Sequence, residues 1–297
     1  MLLNSTSLRT LNIGFSTAFQ NGLGQHVAQW SRVASQVSST TRENEYGWIG
    51  QIPNVREWIG PRQVQNLAAH DYAIKNRKFE LTVRVKKDDV EDDNLGMYGP
   101  MFTELGRSVA AHPDQLVWSL LAAGFSTACY DGQFYFDTDH PVLDAAGTPV
   151  SVANTDGGGG AAWFLIDDSR VLKPIIYQTR KAFELVAKDA PDDDNVFWDG
   201  DLVYGTDGRC NVGFGFWQFA WGSKQTLNKA NYRGAREALM GMKGDYARPL
   251  GLMPRLLVVP PSLEGEALEI LNAERDAAGA TNVYKGTAEL LVVPWLA

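Results

Sequence analysis

The apolar positions change period several times along this chain, and each change predicts an element. Leu8, Leu11, Ile13, Phe15, Phe19 and Leu23 fall at helical spacing broken around Gly14, and Asn21-Gly22-Leu23-Gly24 reads as a stop. Residues 1 to about 40 are short of charge and rich in Ser, Thr, Asn and Gln. That is little apolar material to hold itself up, so the segment reads as an arm that packs on something else. Extended segments follow, broken by Gly and Pro at Tyr46-Gly47-Trp48-Ile49-Gly50 and Arg56-Glu57-Trp58-Ile59-Gly60-Pro61. Phe79, Leu81, Val83 and Val85 then alternate cleanly, which predicts a strand. Two extended limbs joined by a polar bend predict a long hairpin.

Next comes the longest apolar pattern. An acidic cluster, Asp88-Asp89-Val90-Glu91-Asp92-Asp93, leads into Met97, Met101, Leu105, Val109, Leu116, Leu120, Leu121 and Phe125, one face of a helix. Carboxylates suit that position because first-turn amides and the helix dipole favour negative charge. Pro113 requires either a kink or a stop and a restart. Gly132 predicts the end of the pattern.

Gly157 to Gly160 predict a flexible linker, and no Gly-Lys-Ser/Thr ending follows to make a phosphate loop. Residues 163–221 read as β-rich, with short strands at 174–178 and 183–186 and longer ones at 202–205 and 213–221. The last run is so aromatic that both its faces must be covered. Segments 231–242 and 262–273 predict helices, and 255–261 and 289–294 predict buried strands ended by prolines. Strand, helix and strand there make a compact α/β piece. There is no internal repeat.

Composition narrows the function. A chain of 297 residues buries a core in one large domain or two smaller ones. A net charge of −8 argues against a dedicated nucleic-acid binder. Between Lys224 and Arg255, seven basic residues stand against Glu237 and Asp245, a local +5 that a solvated helix and loop explains. Cys129 and Cys210 form neither metal spacing nor a disulfide framework, which predicts a reducing compartment. No apolar run has the length of a membrane span and no signal peptide is visible, so the expected site of synthesis is a cytoplasm.

Candidate chemistry is sparse. Asp137, Asp139 and His140 could ligate a metal, but nothing near them in sequence completes a set, and an Asp-Thr-Asp turn before Pro is common. No nucleophile elbow, zinc signature or nucleotide loop is present, so no catalytic residue, cofactor or metal is assigned. Two alternatives to a structural role stay open: a tail or adhesion-type binding module using exposed aromatics, and a metal-dependent hydrolase using those three residues.

Several local patterns resemble one family. They are Tyr46-Gly47-Trp48-Ile49-Gly50-Gln51 with Arg56-Glu57-Trp58-Ile59-Gly60, the acidic run 88–93, His112-Pro113-Asp114, Tyr130-Asp131-Gly132-Gln133-Phe134, Asp137-Thr138-Asp139-His140-Pro141, Gly213-Phe214-Gly215-Phe216-Trp217-Gln218, and Leu257-Val258-Val259-Pro260-Pro261. Together, in order and over nearly the whole chain, they resemble the major head (capsid) subunit of Mu-like phages and prophages. The resemblance implies an α+β, Hong Kong 97-type capsid fold. Mapped here, it places an N-terminal arm at 1–40 and an extended loop at 41–87. A peripheral domain with a long spine helix and a β-sheet would take 88–145 and 163–223. A Gly-rich linker would take 146–162 and an axial domain 224–297, with the axial segment coming last, unlike in many relatives.

The implied function is a structural protein that self-assembles into pentamers and hexamers of an icosahedral phage head around double-stranded DNA. It would not be an enzyme. Its partners would be itself, a separate scaffolding protein, a portal and an accessory (cement) protein, with non-specific contact to the packaged DNA and no membrane. It would be assembled in the bacterial host cytoplasm and end in the virion. Trp48, Arg56, Trp58 and Arg62 on the loop are expected at intersubunit contacts, with the arginines pairing to Asp88, Asp89, Glu91, Asp92 and Asp93 of a neighbour. Some relatives in the wider fold cross-link a loop lysine to a neighbour's asparagine. No lysine precedes Lys75 here, so a non-covalent shell is expected, and chain ladders from native particles on a denaturing gel would refute it.

Overall fold

The N-terminal apolar positions form one unbroken helix, α1 (Ser5–Gln25), in the computed structural model, which describes residues 5–46, 72–92, 96–275 and 279–297. Gly14 does not break it. That position faces open space, while Leu8, Phe15 and Phe19 are buried. Their burial outweighs the roughly 1 kcal/mol that a helical glycine costs. The expected stop at 21–24 is absent for a different reason. A Cβ on Gly22 would overlap the Thr103 carbonyl, so this glycine lets α1 lie against another helix.

That second helix is reached through a series of strands. After α1 come β1 (Ala34–Ser38), β2 (Glu43–Glu45), β3 (Ala73–Lys75) and β4 (Arg77–Lys86). β2 and β3 pair antiparallel as the base of the expected loop, whose residues 47–71 lie outside the described residues. The acidic run makes a short helix of its own, α2 (Lys87–Glu91), with Asp88 and Asp89 in its first turn. It does not open the long helix, α3 (Tyr98–Ala123), whose first turn carries no acid. α3 continues through Pro113 without a stop and ends at Gly124, eight residues before the glycine expected to end it. Its buried face is Phe102, Leu105, Gly106, Val109, Asp114, Val117, Trp118 and Leu121, whereas Met97 and Met101 are exposed.

Beyond α3 the chain forms β5 (His140–Leu143), β6 (Pro149–Val152), β7 (Thr155–Gly158) and β8 (Trp163–Ile166). The glycines expected to be a flexible linker are partly strand. A Cβ on Gly158, which has φ of +106°, would overlap the backbone of Lys224, so close approach of two strands requires glycine there. β9 (Ile175–Lys188) merges the two short strands expected at 174–178 and 183–186. A tip helix, α4 (Asp194–Asp199), leads into β10 (Asp201–Phe214), so β9 and β10 form a 14-residue-limbed hairpin. The aromatic run 213–221 is not one strand. It turns at 217–219 before β11 (Ala220–Lys224). Then come α5 (Lys229–Met240), the two-residue strands β12 (Lys243–Gly244) and β13 (Arg248–Pro249), β14 (Leu256–Val259), α6 (Glu264–Leu271) and β15 (Glu289–Val292).

Two sheets organise these elements. One has the order β1-β9-β10-β4, with α1 and α3 on one face; the other has the order β15-β14-β8-β11-β7. β14 and β15 are parallel with α6 between them, the expected α/β unit. Residues 224–297 do not form a sheet alone, because β14 pairs with β8, which pairs in turn with β11. The boundary expected at 223/224 therefore runs through a sheet. The main core lies where the lobes meet, with Trp118, Trp163, Trp217, Phe164 and Leu257 almost wholly buried. A second cluster fills the space between α1, α3 and the first sheet, where Phe15 stacks on Phe102 at 4.3 Å and Tyr204 meets both rings edge-on.

Candidate intersubunit surfaces

What the fold offers is a rigid frame that positions surfaces, and its tightest joint holds the arm. Asp114 on α3 is fully buried. It accepts hydrogen bonds from the backbone amides of Trp30 (2.6 Å) and Gln29 (3.1 Å) and from the Trp118 indole (3.0 Å), and pairs with His26 Nε2 at 2.6 Å. One carboxylate thus ties the end of α1 and the turn after it to the middle of the long helix. Above it, Gly106 meets the Phe19 carbonyl so closely that a Cβ would not fit. The arm packs on its own chain's α3. Arg32, at the foot of the arm, bridges to Asp168 (2.8 Å) and Glu289 (2.9 Å) in the second lobe. Those bonds raise the Arg32 guanidinium above its ordinary value and lower the Glu289 carboxyl.

The first sheet covers α3 with one face and turns the other outward. Cross-strand register puts Arg84, Val203 and Lys188 in one row of that outer face, with Glu80, Asp207 and Glu184 in another. Arg84 and Lys86 pair with the buried Asp201 at 3.0 and 2.7 Å, yet both keep more than half their side-chain surface in solvent. Hydrogen bonding to Lys86 is the main cause of a lowered Asp201 carboxyl. Beyond this row projects α4, where Phe197 and Trp198 are 69% and 76% exposed and meet edge-on at 4.9 Å.

The expected contact residues divide in two. Asp88, Asp89, Glu91 and Asp92 lie together on α2 and just after it, with Asp88, Asp89 and Asp92 exposed. Trp48, Arg56, Trp58, Arg62 and Asp93 lie outside the described residues. The surface at α4 was missed, although an adjacent Phe-Trp pair inside an aspartate-rich run was a visible signal. Asp114 stood out only within the His112-Pro113-Asp114 pattern and not as a site, since a lone carboxylate after Pro in a helical pattern gives no sign that it is buried.

The candidate metal trio is not brought together. His140 turns from Asp137 and Asp139 and places Nδ1 2.7 Å from Asp131 Oδ2, its ring stacked on Trp217 at 3.9 Å. The Cys129 thiol donates to Asp131 Oδ1 at 3.0 Å. Cys129, Asp131 and His140 are the one metal-capable cluster among the described residues; His140 Nδ1 and the Cys129 thiol each hydrogen-bond Asp131, while His140 Nε2 is buried without a hydrogen-bond partner. Burial alone would raise the Asp131 carboxyl; the bonds from His140 and Cys129 outweigh it and hold it low. Burial, with the bond to Asp131 second, raises the Cys129 thiol far above its ordinary value. Such a thiol is a poor nucleophile. Among the described residues no helix is long and apolar enough to cross a membrane.

Comparison with known proteins fits this frame. The family model for the Mu-like prophage major head subunit gpT matches residues 8–296. The major capsid protein of Escherichia phage Mu is 41% identical over the full length of both chains. A chain from the procapsid of bacteriophage JBD30 superposes with a TM-score of 0.88 at 44% identity, covering 99% of this chain and all of that one. A chain from the JBD30 capsid decorated with minor capsid protein trimers gives 0.77 at 36% identity, with 94% of each covered. The chain belongs to the Mu-like major head subunit family, and it is a capsid protein of the phage head with the Hong Kong 97-type fold.

Proposed function

We propose that copies of this chain assemble as pentamers and hexamers into a closed icosahedral shell around double-stranded DNA, with no catalytic step of their own. The observation that carries this reading is the superposition on a procapsid chain over almost every residue, both lobes and the arm included. Assembly would take place in the cytoplasm of a bacterial host with a separate scaffolding protein and a portal. An accessory protein comparable to the minor capsid trimers of JBD30 would decorate the outside. The acidic balance supports only weak, sequence-independent contact with the packaged DNA.

In this reading the arm is α1 with the turn after it, and the extended loop is the segment between β2 and β3. β1 and β4, expected within an arm at 1–40 and a loop at 41–87, pair instead into the first sheet. The first sheet with α3 is the peripheral lobe, and the second sheet with α5 and α6 the axial lobe, taking β7, β8 and β11 as well as 224–297. Loop residues Trp48, Arg56, Trp58 and Arg62 reach a neighbour, where the α2 carboxylates are available to the arginines. Negative-stain microscopy and sedimentation of the chain co-expressed with its scaffold test the proposal. Closed shells or rings of five and six are expected. A species that stays monomeric or dimeric under every assembly condition would overturn it.

A further inference from the structure

We infer that the hairpin tip of one subunit, carrying Phe197 and Trp198, docks into a methionine-lined groove at the β4–α3 corner of a second copy. This inference rests on the shell reading above and adds a specific contact to it.

The tip is built to meet something. Residues 189–201 hold six aspartates and no basic residue. Asp193 turns its carboxylate back to the Ala190 amide, and Asn195 bonds the carbonyls of Lys188 and Asp201, so the turn is braced from within. Val196 packs inward on the second core cluster. The two largest apolar side chains of α4 are nonetheless left in solvent. A braced turn that exposes an aromatic pair is an anchor rather than a loose end.

The groove supplies the complement. It has a volume of about 540 Å³, an apolar lining of Met97, Tyr98 and Met101, and the heads of Arg84 and Lys86 beside Asp89. Met101 is 56% exposed. Thioether sulfur makes favourable contacts with aromatic rings, and its flexible stem adapts to their shape. Lys188 lies in the row of Arg84, so three cations stand near the groove. Arg84 and Lys86 are already paired with Asp201 of their own subunit but keep more than half their side-chain surface in solvent, which leaves a modest positive rim where an aspartate-rich tip would arrive. Asp89 opposes that attraction, which makes the apolar contact the anchor and the charges the guide.

Position argues for a second copy as the occupant. Lys86 Nζ reaches the Asp199 carbonyl at 3.3 Å, so each subunit carries its tip next to its own groove. When the donor and acceptor patches adjoin, copies around a two-fold or three-fold axis can each give and receive one contact and close the ring. A shell needs closed contacts of this kind between neighbouring capsomers.

The test is site-directed cross-linking in assembled particles. Met101→Cys and Trp198→Cys subunits are co-expressed with the scaffold, the particles are purified and oxidised, and chains are separated on a non-reducing denaturing gel. The native thiols Cys129 and Cys210 are buried and should stay silent. Disulfide-linked dimers are expected in mixed particles and not in particles of either variant alone. Closed mixed particles whose chains all run as monomers would overturn the inference, as would dimers from Trp198→Cys particles alone, which mean tip against tip. Should Trp198→Cys block closure, Asp199→Cys leaves the aromatic pair intact and is read the same way. Closed particles from the parent chain keep the shell reading standing whichever way the gel runs.

Discussion

Removing the Asp114 carboxylate should loosen the arm more than any surface change. In Asp114→Ala the amides of Gln29 and Trp30, the Trp118 indole and His26 lose their shared acceptor at once. An orphaned buried donor costs about 1–3 kcal/mol. The Trp118 side chain is fully buried, and Gln29 and Trp30 are half-buried. Counting Trp118 in full and the two amides in part gives a loss of roughly 3–5 kcal/mol, the same range as breaking a buried charged pair. Asp114→Asn keeps Oδ1 for the two amides and the indole and changes the contact to His26 and the longer second branch of the Gln29 amide bond at 3.4 Å, so about 1 kcal/mol is expected.

Urea unfolding of unassembled subunits separates the two variants. With a slope of roughly 3 kcal/mol per molar, the alanine variant should shift the midpoint by about 1 M or more and the asparagine variant by about a third of that. Hydrogen exchange should place the extra opening in α1 and residues 26–32, with the β9–β10 hairpin unchanged. Equal midpoints for the two variants, or an alanine variant whose α1 amides stay as protected as the parent's, would refute the account of Asp114 as the joint of the arm.

Three further outcomes follow from the packing and the charges. Gly106→Leu should detach α1 from α3, because the Phe19 carbonyl leaves no room for a side chain, and limited proteolysis should then cut within residues 5–25 while the rest survives. Cys129 and Cys210 should resist iodoacetamide at pH 8 in the folded subunit and react fully in urea, since burial raises both thiols; rapid native labelling of either would contradict this. Asp131 has a folded-state value below its ordinary 3.8, so its ionised form stabilises the fold above that pH and the contribution is lost as pH falls through the lowered value. Asp131→Asn should therefore melt lower than the parent at pH 7, with the gap closing in acid below about pH 4; a gap independent of pH would mean the carboxylate's charge plays no part.

The elements that a single period specifies were legible in the sequence: β4, α5, β14, α6 and β15, along with the capsid family itself. Where the reading slipped, tertiary contact had overruled a local signal. Gly14 and Gly22 read as breakers, but α1 is held by Phe15 and Phe19 against α3, and Gly22 is the contact point itself. Pro113 read as a kink or a stop; α3 continues through it, with Val109 buried before it and Val117 and Trp118 after it. The methionines read as core because their spacing matched, yet the buried stripe sits one position on at Phe102. Spacing alone does not tell the two faces apart when both carry apolar residues. The glycines at 157–160 read as a linker because sequence cannot show a strand passing close by.

That last failure points to what the surface means. Exposed apolar side chains scattered singly are ordinary on a soluble protein and need no partner. Here they recur at the margins of both lobes: Met97, Met101, Phe197 and Trp198 around the first sheet, and Met240, Tyr246, Met253 and Trp295 in the second lobe. The shared core needs none of them, since it is already filled by tryptophans and leucines with almost no exposure. A shell subunit must meet several neighbours, and many modest contacts made together give a closed assembly that no single contact would hold. The same logic bounds how strong each contact should be. A tip that bound its groove tightly in free subunits would trap open aggregates before rings closed, so Phe197 and Trp198 should contribute strongly only where arm, loop and lobe contacts have already fixed the neighbour. Free subunits at micromolar concentration should therefore stay monomeric in sedimentation, and Phe197→Ser should change that profile little while lowering the yield of closed particles severalfold. Dimers of the free parent chain that Phe197→Ser abolishes would show instead that the tip acts alone, ahead of the shell.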